Sequence, residues 1–355
     1  MVRSLSIRDF RCFARFELEF HPELTCIVGG NALGKTSLLE AVAVLIRLQS
    51  PRTTSLLPVI RSGTQGLLTD GMVDRRHLQF YYSAKRRKLA LDSVEQRDPT
   101  RYLDVGRTVF FASSDTDLVR GSSEERRRFL DFLGNQLFSN YRDVLRSYDK
   151  ALRSRNAYLK MTPARPREVL AYTKPLLSFG NQLTALRNEL THRLEPHVAA
   201  AYQAISDRGE PVSVEYQPGA SADFESALVA SVEEERRLRV TLVGPHRDDV
   251  RLLLHDRPAN LFSSEGQQRT LVIALKLGQA FLLEAEFRQS PVLLLDDIFG
   301  ELDRSRRNRL FTSLPAGAQR IITTTSLAWL DQDPAGKIYE LKEDSIQGRI
   351  LVPCG

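Results

Sequence analysis

Residues Gly29-Gly30-Asn31-Ala32-Leu33-Gly34-Lys35-Thr36 follow the apolar run Leu24-Thr25-Cys26-Ile27-Val28 and precede helical apolar spacing through Leu38, Leu39, Val42, Leu45 and Ile46. The order is strand, then G-x-x-x-x-G-K-T, then helix, which is chemistry for a phosphate chain. Glycines let successive backbone N–H groups converge on phosphate oxygens, and the positive end of the helix adds to the attraction. In that chemistry Lys35 would bridge the β- and γ-phosphates of a nucleotide and Thr36 would hold Mg2+. The plain structural alternative is a glycine-rich turn ahead of a buried helix.

Two acids far along the chain complement this loop. Pro291-Val292-Leu293-Leu294-Leu295-Asp296-Asp297 reads as a strand buried on both faces that leaves carboxylates at its carboxyl edge, where ligands of parallel sheets collect. Asp296 would assist the Mg2+ held at Thr36, and Asp297 would orient or deprotonate an attacking water. Gly300-Glu301-Leu302-Asp303 opens a further helix, and Ile321-Ile322-Thr323-Thr324-Thr325 reads as a last strand. Between loop and acids, Ser263-Ser264-Glu265-Gly266-Gln267-Gln268-Arg269 starts a long helix through Leu271, Leu275, Leu277 and Leu282, a second anion-binding end. Two such ends are more than one triphosphate needs from one cradle. The simplest use is in trans: Ser264, Gly266 and Gln267 of one copy would cover the γ-phosphate held by Lys35 and Thr36 of another, closing a twofold dimer on ATP.

The remaining elements must carry these groups. Leu5 and Ile7, then Phe16, Leu18 and Phe20, alternate with polar residues as two strands joined through Arg11, which is either a nucleotide-side contact or a surface arginine. A Pro-, Gly-, Thr- and Ser-rich loop spans 50–71. His77 to Tyr82 and Leu89 to Leu91 read as strands flanking Lys85-Arg86-Arg87-Lys88, a hairpin tip able to touch a phosphate backbone or simply to be solvated. Thr108 to Phe111 is another strand. From Ser122 to about Pro211 the spacing turns helical (Phe129, Leu130, Leu133, Leu137; Val144, Leu145, Tyr148, Leu152; Leu183, Leu186, Leu190, Leu194), with Arg126-Arg127-Arg128 near its start. A strand at 212–216, a charged helix around 222–237, a charged turn Gly244-Pro245-His246-Arg247-Asp248-Asp249 and a strand at 250–254 follow.

Bulk properties narrow the class. With 355 residues and 42% hydrophobic content the chain can bury a full core and form two lobes. Lys+Arg 50 against Asp+Glu 44 gives a net charge of +6, which allows a polyanionic partner without requiring one. Cys12, Cys26 and Cys354 show neither C-x-x-C spacing nor an even count, which fits a reducing, cytoplasmic setting. Met1 to Phe10 does not form a signal peptide, and Ala41 to Ile46 is too short to span a bilayer.

Glycine loop, S-x-G-Q start, apolar strand with acids, x-x-L-D loop and following strand together resemble the ABC-type ATPases. Within them, Gly29 to Thr36, Arg126-Arg127-Arg128-Phe129-Leu130-Asp131, Gly244 to Asp249, Ser264 to Arg269 and Leu295 to Asp303 resemble the RecF family of bacterial DNA-repair proteins. The resemblance covers nearly the whole chain and departs at Ala112-Ser113-Ser114-Asp115, where the family pattern has Pro-Glu-Asp. It implies an α/β fold: an ABC-type P-loop ATPase head from 1–120 and 240–355, with an inserted, mainly helical second lobe at 121–239. It further implies a slow ATPase that uses ATP and Mg2+ and dimerises on ATP. Such a protein binds duplex DNA near gaps and helps RecR and RecO place RecA on single strands. A transporter ATPase subunit would have glutamate at Asp297, histidine among Thr323 to Thr325 and a shorter insertion. A longer SMC tether would need hundreds of heptad residues. A purely DNA-binding module would not need Lys35, Asp296 and Asp297 together.

Overall fold

The computed structural model describes residues 1–163, 165–206, 208–220, 223–328, 336–344 and 348–354. It divides into two units: Met1–Thr116 with Ala200–Gly209 and Arg269–Gly355, and Asp117–Ala199 with Glu210–Gln268.

The first unit is built on two six-stranded sheets. One is antiparallel, in the spatial order Phe13–Glu19, Ser4–Phe10, Gly66–Val73, Arg76–Ser83, Arg87–Leu91, Val94–Glu95. The other runs Gly348–Pro353, Lys337–Asp344, Leu24–Val28, Arg320–Thr324, Val292–Asp296, Thr108–Ala112, and all its pairs are parallel except the first. The Lys35–Arg47 helix contacts strands of both sheets, and every residue from Leu38 to Arg47 is buried. Its apolar residues therefore occur all round rather than as one stripe, as a helix enclosed on both sides requires. Val292–Asp296 is buried at every position, as its unbroken apolar sequence predicts.

Differences from the sequence reading lie mainly at long range. Ile321 to Thr325 is not the last strand: Lys337–Asp344 pairs parallel with Leu24–Val28, and Gly348–Pro353 pairs antiparallel beside it. These strands mix Ile338, Tyr339 and Leu341 with many charges, so local periodicity understates them. The loop expected over 50–71 ends at Gly66, where a strand begins. The charged helix expected around 222–237 is two helices, Phe224–Ala230 and Val232–Leu238, and Ala222 lies outside the described residues.

The second unit contains the helices Ser123–Leu137 and Tyr141–Leu159 and the greater part of Pro166–Ile205. It also holds a three-stranded antiparallel sheet, Arg257–Pro258, Asp249–Leu254, Val212–Gln217. Because Asp249–Leu254 pairs over its whole length with Val212–Gln217, residues up to Gln268 join this unit, whereas the expected boundary lay near 240. Tyr141, Val144, Tyr148, Leu176, Leu183, Phe224 and Leu228 form its apolar core.

A buried ionic knot sits beside that core. Arg187 is 2% exposed. It donates to Asp131 Oδ1 and Asp248 Oδ2, both at 2.8 Å, and to the Pro245 carbonyl at 2.7 Å. Tyr141 donates to Asp131 at 2.6 Å, and Gly219 N–H to Asp248 Oδ1 at 2.7 Å. Arg126 forks onto Asp249 at 2.6 and 3.0 Å, Arg127 donates to the Asp248 carbonyl at 2.6 Å, and Arg128 pairs with Glu125. The arginine run thus faces its own unit's acids and carbonyls. His246 also serves structure, bonded to Tyr148 Oη at 2.7 Å and to the Thr241 carbonyl at 3.0 Å. Arg187→Met should leave the buried Asp248 and the half-buried Asp131 without their counter-ion and cost about 3–5 kcal/mol. Urea denaturation of the full chain followed by circular dichroism checks this, and a midpoint equal to the parent's would show that the knot is dispensable.

Candidate functional site

Gly34 ends the glycine loop with φ +102°, a conformation that side chains rarely adopt. A Cβ there would also stand 2.6 Å from Cys12 Sγ and 2.9 Å from the Phe13 ring, so the loop can turn this tightly only with glycine. The helix that follows has no side-chain cap and no acid in its first turn. Its leading N–H groups are thereby left to an anion.

Lys35 is 7% exposed and folds back over the loop, its Nζ donating to the carbonyls of Gly29 at 2.7 Å and Gly30 at 2.8 Å. Burial lowers its pKa, while Asp297 and Asp296 act to raise it. The next residue reaches the sheet: Thr36 Oγ1 donates to Asp296 Oδ2 at 2.7 Å, and Thr323 Oγ1 donates to Asp296 Oδ1 at 2.6 Å. One carboxylate thus joins helix start, acid-bearing strand and neighbouring strand. Burial raises the Asp296 pKa; the hydrogen bonds from Thr323 and Thr36 and the charge of Arg52 oppose the rise, and Asp297 adds to it. Asp297 turns out of the strand with φ +52°, its N–H donating to the Thr323 carbonyl at 3.0 Å and its Oδ1 accepting from Thr325 N–H at 3.4 Å. Left-handed backbone on a non-glycine residue costs free energy that the surroundings must supply, a feature often found at functional sites.

These groups surround a cleft of about 690 Å³ lined by Asn31, Ala32, Gly34, Lys35, Thr36, Ser37, Asp296 and Asp297, with Arg11, Cys12, Arg52, Pro58, Ile60, Ser62 and Ser113 completing the wall. Every lining residue belongs to the first unit. Leu33 packs against the core with its side chain near Gly29 and Gly30. Thr36 and Asp296 are hard oxygen donors of the kind Mg2+ takes. Among the described residues no group of three or more His, Cys, Asp or Glu could hold a metal, so a cation here would complete its shell from phosphate and water, as Mg2+ does.

Arg11 does reach the cleft wall, but its guanidinium is engaged. It forks onto Glu40 at 2.9 and 2.7 Å and donates to the Pro58 carbonyl at 3.0 Å. Glu40 is fully buried and also accepts from Ser50 Oγ at 2.6 Å and Arg52 at 3.3 Å. The sequence reading missed Glu40, Ser50 and Arg52; the available signal was a lone carboxylate inside Leu38-Leu39-Glu40-Ala41-Val42, one turn past Thr36. It also missed Lys276, whose buried Nζ donates to the Phe110 carbonyl at 2.9 Å and pairs with Asp115 at 2.8 Å. Asp115 in turn accepts from Ala112 N–H at 2.6 Å, so the loop that departs from the family pattern folds inward and offers the cleft Ser113.

Ser264, Gly266 and Gln267 lie in the second unit. Gln267 Oε1 accepts from Ser264 N–H at 2.8 Å, and Ser264 Oγ accepts from Gln267 N–H at 3.3 Å, a reciprocal helix cap. Gln267 Nε2 donates to Glu210 at 3.0 Å.

Residues 1–342 match the family described as RecF/RecN/SMC N terminal domain. A DNA replication and repair protein RecF from Synechococcus sp. is 34% identical over 99% of this chain and 97% of its own length. One from Cyanothece sp. is 36% identical over 93% of each. Among solved structures, the recombination mediator protein RecF with ATP, of the RecFOR pathway, matches with TM-score 0.85 at 25% identity, over 100% of this chain and 97% of that one. An Smc head bound to the C-winged helix domain of ScpA matches with TM-score 0.52 at 12% identity, over 100% and 98%, a likeness of fold alone. Among the described residues no helix is long and apolar enough to cross a membrane.

The raised Asp296 pKa gives a stability test. A carboxyl that holds its proton more firmly folded than unfolded favours the fold at low pH, and this contribution is lost as pH rises through the folded value. Asp296→Asn, which carries no charge at any pH, should therefore melt a few degrees above the parent at pH 8 without ligand. The gap should narrow as pH falls. Thermal melts across pH check this, and a variant that melts below the parent at pH 8 contradicts it.

Proposed function

The chain belongs to the RecF family, and we propose that it is a slow Mg2+-dependent ATPase whose ATP-closed dimer binds duplex DNA near single-strand gaps. Its architecture is that of an ABC-type ATPase head. The observation that carries the reading is Asp296, held at 2.7 Å by Thr36 beside Lys35 in one cleft.

In this reading the backbone N–H groups of Gly29, Gly30, Asn31, Ala32, Leu33 and Gly34 cradle the phosphates. Lys35 exchanges two carbonyl oxygens for β- and γ-phosphate oxygens, a charge-assisted contact without apolar substitute. Thr36 and Asp296 would hold Mg2+, which would supply neutralisation of charge on the phosphates. Asp297 orients the attacking water, one methylene short of the glutamate common at this position, so turnover is below about one per second. Arg11 supports the nucleotide-side wall through Glu40. The nucleotide machinery draws on 1–120 and 240–355, because Ser264, Gly266 and Gln267 act in trans although they pack with the second unit. With RecR and RecO the protein would help load RecA, a reading supported by kinship with a mediator of the RecFOR pathway.

Lys35→Met should abolish ATP binding while the fold stays intact, and Asp297→Asn should bind ATP normally and lose hydrolysis. Calorimetric titration and phosphate release check both; parental affinity in the first variant, or a parental rate in the second, removes that residue from its role.

Assembly is tested separately. A γ-phosphate shared between copies means that ATP, and not ADP, shifts the population to dimer, since only a ligand that binds one state better moves an equilibrium. Ser264→Arg should block closure and leave monomer binding of ATP unchanged. Sedimentation with ATP, ADP and no nucleotide checks it, and a Ser264→Arg protein that still dimerises on ATP overturns the trans arrangement.

A further inference from the structure

The antiparallel sheet of the first unit has one face in the core and one in solvent, and its registers define both. Phe16, Ile7, Thr69, Phe80 and Leu89 stand opposite one another across five strands and are all buried. One residue along, the row is Arg15, Arg8, Leu68, Tyr81, Lys88, and the pleat turns it to the other face. Arg8 and Arg15 are exposed, and Leu68, Tyr81 and Lys88 are half-buried. Arg86, two positions before Lys88, continues on that face. Ser83 clamps its turn, donating from N–H to the Arg86 carbonyl at 2.8 Å and accepting from Arg86 N–H at Oγ at 3.0 Å. Exposed Lys85 forms the tip.

Two features of this face go against the stability of the isolated protein. Arg8 and Arg15 are directly opposed on adjacent strands, where like charges destabilise pairing. Among the described residues the side chains of Arg8, Lys85 and Arg86 also enter no ion pair or hydrogen bond. The carboxylates nearby are committed elsewhere or weakly held: Asp70 accepts from His77 and Gln79, Glu17 pairs with Arg15, and Glu95 lies 3.9 Å from Lys88. The exposed pairs among these are worth little against solvent screening. The other arginine run, Arg126 to Arg128, is consumed by its own unit's acids and carbonyls, so the two basic clusters differ in kind.

We propose that this sheet face, centred on Arg8, Lys85 and Arg86, is the surface on which a nucleic-acid backbone docks; the inference rests on the DNA binding proposed above and locates it. Four interstrand steps of about 4.8 Å make the row about 19 Å long, enough to meet phosphates on both sides of a groove about 12 Å wide. The row contains no Asn or Gln to read base edges, and Tyr81 offers one hydroxyl, so contact is to phosphate and independent of sequence.

The test is the full-length triple variant Arg8→Glu, Lys85→Glu, Arg86→Glu, measured by fluorescence anisotropy with a mixed-sequence duplex over a salt series. Each phosphate contact contributes about 0.9 to the slope of log affinity against log salt. The variant should lose at least about tenfold in affinity at 0.1 M salt and flatten the slope by about 2–3, with melting temperature and ATP affinity unchanged. Arg236→Glu, at an arginine paired with Glu233 at 2.7 Å, should bind as the parent does. A triple variant with parental affinity and slope overturns this surface while DNA binding stands. A parent that binds no duplex removes the DNA reading and this surface together.

Discussion

The Asp296 carboxylate, shared at 2.6–2.7 Å between the hydroxyls of Thr323 and Thr36, is the contact on which the candidate site depends. It lies at the end of a strand buried throughout, so its position is set by the sheet rather than by a loop. Thr36 is the second residue of the helix enclosed between two sheets, so the other end of the contact is equally fixed. Burial disfavours the charged form of a carboxylate in such a place, and the two hydroxyl donors only partly offset that cost. The strain makes sense if the group is kept charged for a cation and a phosphate chain.

Glu40 repeats the principle one turn along the helix. It is fully buried and gathers Arg11, Arg52 and Ser50, so two arginines of the cleft wall are aligned by one acid in the core. The second unit uses Arg187 in the inverse sense, a buried cation that gathers Asp131, Asp248 and the Pro245 carbonyl. Removing one member of such a group leaves the others desolvated and unpaired, so substitutions here should cost more than at the surface arginines around them.

What could be read from the sequence was whatever is written within a few residues. Gly29 to Thr36, the apolar strand ending in Asp296 and Asp297, and the helical spacing of 122–211 each carry a local period or motif, and each appears where expected. Glu40 leaves only the local trace of a lone carboxylate among apolar residues, and Arg52 and Lys276 leave none, because their significance lies in partners 10, 12 and 166 positions away. The division of the two units at Gln268 rather than near 240 and the two strands after Thr324 have one cause: both are decided by β pairing between distant segments, Asp249–Leu254 with Val212–Gln217 and Lys337–Asp344 with Leu24–Val28. Arg126 to Arg128 carries a further lesson: three adjacent cations do not of themselves show whether they face solvent or acids of their own unit, and here the partners, Asp249, the Asp248 carbonyl and Glu125, are internal.

The strand order of the parallel sheet also governs how the chain comes together during synthesis. The antiparallel sheet is complete once residues 4–95 have emerged, and its hairpins are local. The glycine-loop strand Leu24–Val28, made in the same interval, has both sheet neighbours, Arg320–Thr324 and Lys337–Asp344, some three hundred residues downstream. Until those arrive from the ribosome it stands with two open edges, and the long-range pairings that close it form slowly. The glycine loop is therefore translated some three hundred residues before the strands that hold it in its working shape.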